Sequence, residues 1–128
     1  MAKIKLGSAP KSFTHKVTFP LLQGGKGDIT MTYRYRDRMQ FAEFIDSVYP
    51  KIKKPDPVST EPGFDLVENA AEAEANEVRY IMGAATGWDL DDDFSEANVR
   101  ALINEFPAAG SAITAAYREA ITEGRAKN

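Results

Sequence analysis

A chain of 128 residues fits one domain, because that length buries a single core and hardly two. Its 43% hydrophobic and 27% charged residues are ordinary globular usage, against disordered, collagenous and membrane classes, and the lack of cysteine removes disulfide and thiolate chemistry. The net charge of −3 divides unevenly, since residues 1–60 carry 11 Lys/Arg against 5 Asp/Glu, net +6, and residues 61–128 carry 5 against 14, net −9.

Met1 to Leu6 alternates charge with apolar residues and builds no signal sequence, and no apolar run is long enough to cross a bilayer, so the expected location is the compartment of synthesis. Phe13, His15, Val17 and Phe19 then alternate with Thr14, Lys16 and Thr18, the period of a half-buried strand. Ile29, Met31, Tyr33 and Tyr35 repeat the pattern, and Gln23 to Asp28 supplies three glycines that tolerate positive φ between the two runs. Residues 12–35 therefore read as a β-hairpin, which needs an apolar partner for its inner face.

Asp37 and Gln40 make a capping box for a helix over 37–49, in which Phe41, Phe44, Ile45 and Val48 recur at helical spacing. Residues 50–64, with Pro50, Pro55, Pro57 and Pro62, read as a flexible loop. A second helix is expected over 65–86, with Leu66, Ala70, Ala73, Glu77 or Val78, Ile81 and Ala85 as a thin stripe ended by Gly87. Ser95 caps a third over 95–106, with Val99, Leu102, Ile103 and Phe106 inward, and Pro107 starts a fourth over 107–123 on Ile113, Ala116, Tyr117, Ala120 and Ile121. Strands first and helices after predict an α+β fold, an N-terminal antiparallel hairpin followed by about four helices.

Each candidate site has a plain structural reading beside it. Asp89, Asp91, Asp92 and Asp93 begin like a calcium loop, but Phe94 stands where the turn needs glycine and Arg100 where a bidentate glutamate is needed. A metal-dependent hydrolase on Asp89, Asp91 and Asp93 remains as an alternative, against acids placed to suit a helix N-terminus. His15, the single histidine, lacks both a second metal ligand and a nucleophile motif and reads as core or rim. Tyr33-Arg34-Tyr35-Arg36 interleaves rings and cations, yet on a strand these face opposite ways, against nucleic-acid binding. Trp88 and Phe94 bracket the acidic turn and either plug the core or anchor a partner.

Lys11-Ser12-Phe13, Tyr33-Arg34-Tyr35-Arg36, Phe41-Ala42-Glu43-Phe44-Ile45-Asp46, the turn from Gly87 to Ser95, Phe106-Pro107-Ala108-Ala109, Tyr117-Arg118-Glu119-Ala120 and Glu123-Gly124-Arg125, in that order, resemble the tail assembly chaperones of long-tailed bacteriophages. The resemblance implies a non-enzymatic protein without cofactor or metal. It would hold the tape-measure protein while the tail tube forms, work in the host cytoplasm and be absent from the mature virion. The major tail protein and a second copy, head to tail, are further candidate partners, and the opposite charges of the two halves suit either. Trp88, Phe94, Tyr117 and Arg125 are the partner-binding candidates carried over. The alternative is a minor tail protein retained in the virion. The family is often made in two lengths by frameshifting, and Ala126-Lys127-Asn128 is compatible with a slippery heptamer, although Lys127 stands where a glycine is expected.

Overall fold

The computed structural model describes residues 6–7, 9–49 and 66–124. The expected proline-rich loop, Arg125 and the final three residues lie outside the described residues. Strands β1 (Ser12–Pro20) and β2 (Lys26–Arg34) pair antiparallel from Ser12–Arg34 to Pro20–Lys26. The turn is closed by Leu21 N–H donating to the Gly25 carbonyl and Gly24 N–H to that of Leu21, both at 3.1 Å. Gly24 and Gly25 hold φ of 98° and 78° there, a region costly for side-chain-bearing residues.

Helices α1 (Arg38–Val48), α2 (Leu66–Ala84), α3 (Glu96–Glu105) and α4 (Pro107–Glu123) follow, so the fold is α+β as expected. Asp37 and Gln40 close the capping box reciprocally, Ser95 accepts the Asn98 N–H, and Gly124 ends α4 in the left-handed conformation. Alternation along the strands buries His15, Val17, Phe19, Ile29, Met31 and Tyr33 on one face. Burying each large apolar side chain contributes about 1.5–3 kcal/mol, which is what a hairpin, marginal by itself, requires. The cover comes from α4, which packs on β1, and from α2, which lies against β2 and both later helices. Thr14, Lys16 and Thr18 face solvent on the other side.

A third strand, β3 (Ala85–Trp88), was expected as the end of the second helix and the start of a turn. The helix stops at Ala84, and the chain pairs antiparallel with the free edge of β2. Asp89 locks this edge: its N–H donates to the Thr30 carbonyl at 3.1 Å, and its Oδ1 accepts the Thr30 N–H at 2.9 Å. The helical spacing that ran through Ala85 continues in composition only, because a strand edge offers the backbone partners that another helical turn would have supplied internally.

Four further residues, Tyr35, Ala70, Ala73 and Phe106, depart from the expected pattern. Strand β2 ends at Arg34, so Tyr35 is 39% exposed and does not continue the inward row. In α2 the buried side is Val78, Tyr80, Ile81 and Ala84, while Ala70 and Ala73 are exposed, because the packing of this helix on the sheet is made by its C-terminal half. Phe106 is the α3 cap residue and is 39% exposed, since the chain turns there directly into Pro107.

Candidate protein-binding surface

Tyr117 occupies the centre of the molecule, with relative exposure of 0%. Five aromatic rings surround it: Tyr33, Phe41, Phe44, Tyr80 and Phe13, at centroid distances from 5.1 to 6.4 Å. Its hydroxyl donates to the Arg34 carbonyl and accepts from Arg36 Nη1, both at 2.9 Å. The same Nη1 donates to the Gly83 carbonyl at 2.9 Å, and the guanidinium lies 4.1 Å from the centroid of the Phe44 ring. Arg36 thus turns inward and joins the hairpin's end to α1, α2 and α4. Burial pushes the Tyr117 phenol up, and the Arg36 hydrogen bond and charge partly oppose this. Tyr33 and Tyr80 are also raised, again mainly by burial.

Tyr117 therefore supports the fold and offers no accessible surface, whereas Trp88 and Phe94 stay half-buried at the rim. Their rings meet edge to face at 5.1 Å, and Trp88 Nε1–H donates to the Asp92 carbonyl at 2.7 Å. The aromatic pair and the backbone bond hold the acidic turn in one shape. Arg125 lies outside the described residues. Asp89, Asp91 and Asp93 do not converge, and among the described residues no three His, Cys, Asp or Glu are grouped to hold a metal ion. The carboxylate of Glu74 instead joins α2 to α3, accepting from Arg100 Nε and Asn104 Nδ2 at 2.8 Å each. The Asn104 hydrogen bond is the main cause of its lowered pKa.

Two open regions lie at opposite ends of the hairpin. At the strand ends, Lys11, Arg34 and Arg36 line a recess with Tyr35, Gln40 and Glu43. At the hairpin tip, a groove of about 490 Å³ between the sheet and α3 is lined by Trp88, Leu90, Phe19, Leu21, Leu102 and Phe106. It continues over Leu21, Glu105 and Phe106 into a wider apolar region at Leu22 and Pro107. Asp28, Asp92 and Glu105 are the ionisable residues of the groove. Asp28 of the groove and Arg34 of the recess stand six residues apart along β2, about 20 Å at 3.4 Å per residue, and exposed Lys16 and Lys26 are the basic residues near the groove end of the hairpin.

Among the described residues, Trp88 is the one partner-binding candidate that lines the groove. Leu21, Leu22, Leu90 and Phe106 were missed. Two adjacent leucines beside a glycine-rich tip, outside both strand patterns, were the available signal, and Phe106 was hidden by fitting the helical stripe.

The phage tail assembly chaperone family model matches residues 1–128, the whole chain. The chain belongs to that family. No curated protein and no solved structure matched it. Among the described residues, no helix of this family member is long and apolar enough to cross a membrane.

Proposed function

We propose that the protein binds the tape-measure protein and keeps it in an assembly-competent state until the tail tube polymerises around it. The observation that carries this reading is the family match over the full chain. The half-buried Trp88–Phe94 rim and the apolar groove beside it support a binding role, since exposed apolar surface rimmed by polar residues characterises interaction sites. Many copies along one long partner would combine weak contacts into stable but reversible retention. In this reading the protein makes contacts and does no chemistry. It acts in the host cytoplasm and leaves before the virion is complete.

Co-expression with the tape-measure protein of the same phage tests this. The expected result is that the tape-measure protein becomes soluble and co-purifies. An insoluble tape-measure protein, with the chaperone purifying alone, contradicts it. Mass spectrometry of purified virions separates this reading from that of a retained minor tail protein, which would be found in the particle.

A further inference from the structure

We infer that the groove at the hairpin tip is a receptor for an amphipathic helix whose apolar stripe is flanked by lysine or arginine. The inference rests on the preceding reading in one respect, that the tape-measure protein supplies the helix. The groove's own chemistry gives the rest.

The groove's floor belongs to the core, being formed by Phe19, Ile29 and Leu102, all buried. Its rim stays open: Leu22 is fully exposed and Phe106 is 39% exposed. Phe106 is kept outward by the bend between α3 and α4. Its N–H still donates to the Leu102 carbonyl at 2.7 Å, its carbonyl accepts the Ala109 N–H at 2.9 Å, and its ring meets Phe19 at 6.3 Å. The exposed ring is thus fixed in place by the backbone, so presenting it to a partner requires little ordering on binding.

The occupant's conformation follows from what the lining lacks. Apolar side chains dominate both sections of the groove, and they offer little to the backbone amides of an extended peptide. A helix satisfies its own amides and presents side chains at i, i+3, i+4 and i+7 to such a surface.

The sign of its flanks follows from the charges. Asp28, Asp92 and Glu105 line the groove, and no Lys, Arg or His does among the described residues. Exposed Asp91 and Asp93 lie beside Asp92 in the same turn. Asp28 is partly matched by Lys16 at 3.5 Å, and Lys26 stands at the hairpin tip outside the lining, so Asp92 and Glu105 set the preference. Acidic flanks on the partner would meet like charge, and basic flanks would be drawn in.

Trp88, the chain's single tryptophan, lines the groove and is its natural reporter. The test titrates the full chain with a designed helical peptide carrying leucines at i, i+3, i+4 and i+7 between lysines, and follows Trp88 emission. Saturable binding is expected. It should weaken about 5- to 20-fold for Leu22→Ser, the loss of one buried leucine contact. Glu105→Lys should weaken the lysine peptide and improve a glutamate-flanked version of it, while Arg34→Ser at the opposite end leaves both unchanged.

No change in Trp88 emission, equal binding of the two peptides, or indifference to both groove substitutions overturns the inference. So does a salt-sensitive, concentration-dependent emission shift of the protein alone that vanishes in Arg34→Ser, because the occupant is then a second copy. These outcomes are independent of co-expression. If the tape-measure protein co-purifies equally well with the groove variants, the proposed function stands and the groove is not its seat.

Discussion

The Tyr117 hydroxyl makes two hydrogen bonds of different worth. The bond it donates to the Arg34 carbonyl is between neutral groups, and the one it accepts from Arg36 is charge-assisted. Tyr117→Phe keeps the ring and removes both, leaving the part-buried Arg36 guanidinium with one fewer acceptor. The expected loss is about 1.5–3 kcal/mol, the range for bonds to charged groups. Tyr33 gives the contrast. Its hydroxyl donates only to the Ile113 carbonyl, at 2.8 Å, within a helix where that carbonyl also serves the backbone. Tyr33→Phe should therefore cost about 0.5–1.5 kcal/mol. Urea unfolding of the two variants decides the matter, and an equal or larger loss for Tyr33→Phe would show that Arg36 is not the organising partner. Little of this was legible beforehand. The spacing of Tyr117 correctly placed it on an inward stripe, but nothing in the sequence distinguishes a tyrosine that anchors a partner from one that anchors an arginine. The inward turn of Arg36 depends on the Gly83 carbonyl, 47 residues away.

At the scale of elements, the contact between α1 and α2 depends on a missing side chain. A Cβ on Gly83 would stand 2.5 Å from Phe44 Cε1 and 3.2 Å from its Cζ. The ring is hemmed in by its neighbours, with the Arg36 guanidinium over it and the Tyr80 and Tyr117 rings packed steeply against it. Alanine improves helix propensity by about 1 kcal/mol, whereas overpacking a core costs about 1–3 kcal/mol. Gly83→Ala should thus lower stability on balance. Gly87→Ala, in β3 with nothing within 4 Å of the added carbon, should change it by less than about 0.5 kcal/mol. Thermal melts of both variants check the pair, and a more stable Gly83→Ala protein would mean that α1 moves freely on α2. Hairpin, caps and helices were readable because each rests on local chemistry: alternation, Asp37 with Gln40, Ser95, and Gly124. Strand β3 was not, because four residues are too few for a period, and their conformation is decided by the unpaired edge of β2.

Across the whole molecule, Tyr33 from β2, Tyr80 from α2 and Tyr117 from α4 bring three phenols into one buried cluster. Their pKa values are all raised, chiefly by burial, so the folded state holds these protons more tightly than the unfolded chain does. While both states keep the phenols neutral, below the unfolded value of about 10, their contribution to stability is fully present. As pH rises through that value the unfolded chain ionises first, and stability falls until the folded phenols also titrate. Each phenol still protonated in the fold contributes a slope of about 1.4 kcal/mol per pH unit in this window. Tyr33 is fully buried and strongly shifted, so Tyr33→Phe should flatten the alkaline limb by about one such increment, whatever its stability at neutral pH. Denaturant midpoints measured across the alkaline range, with tyrosinate absorbance followed in parallel, check this. Parallel limbs for wild type and Tyr33→Phe would mean that the Tyr33 phenol reaches solvent without unfolding, and that hairpin and helices open separately. A common, cooperative loss of near-UV circular dichroism with tyrosinate formation is the expected outcome, because every ring in the cluster packs on Tyr117 and none can ionise alone without disturbing the others' shared neighbour.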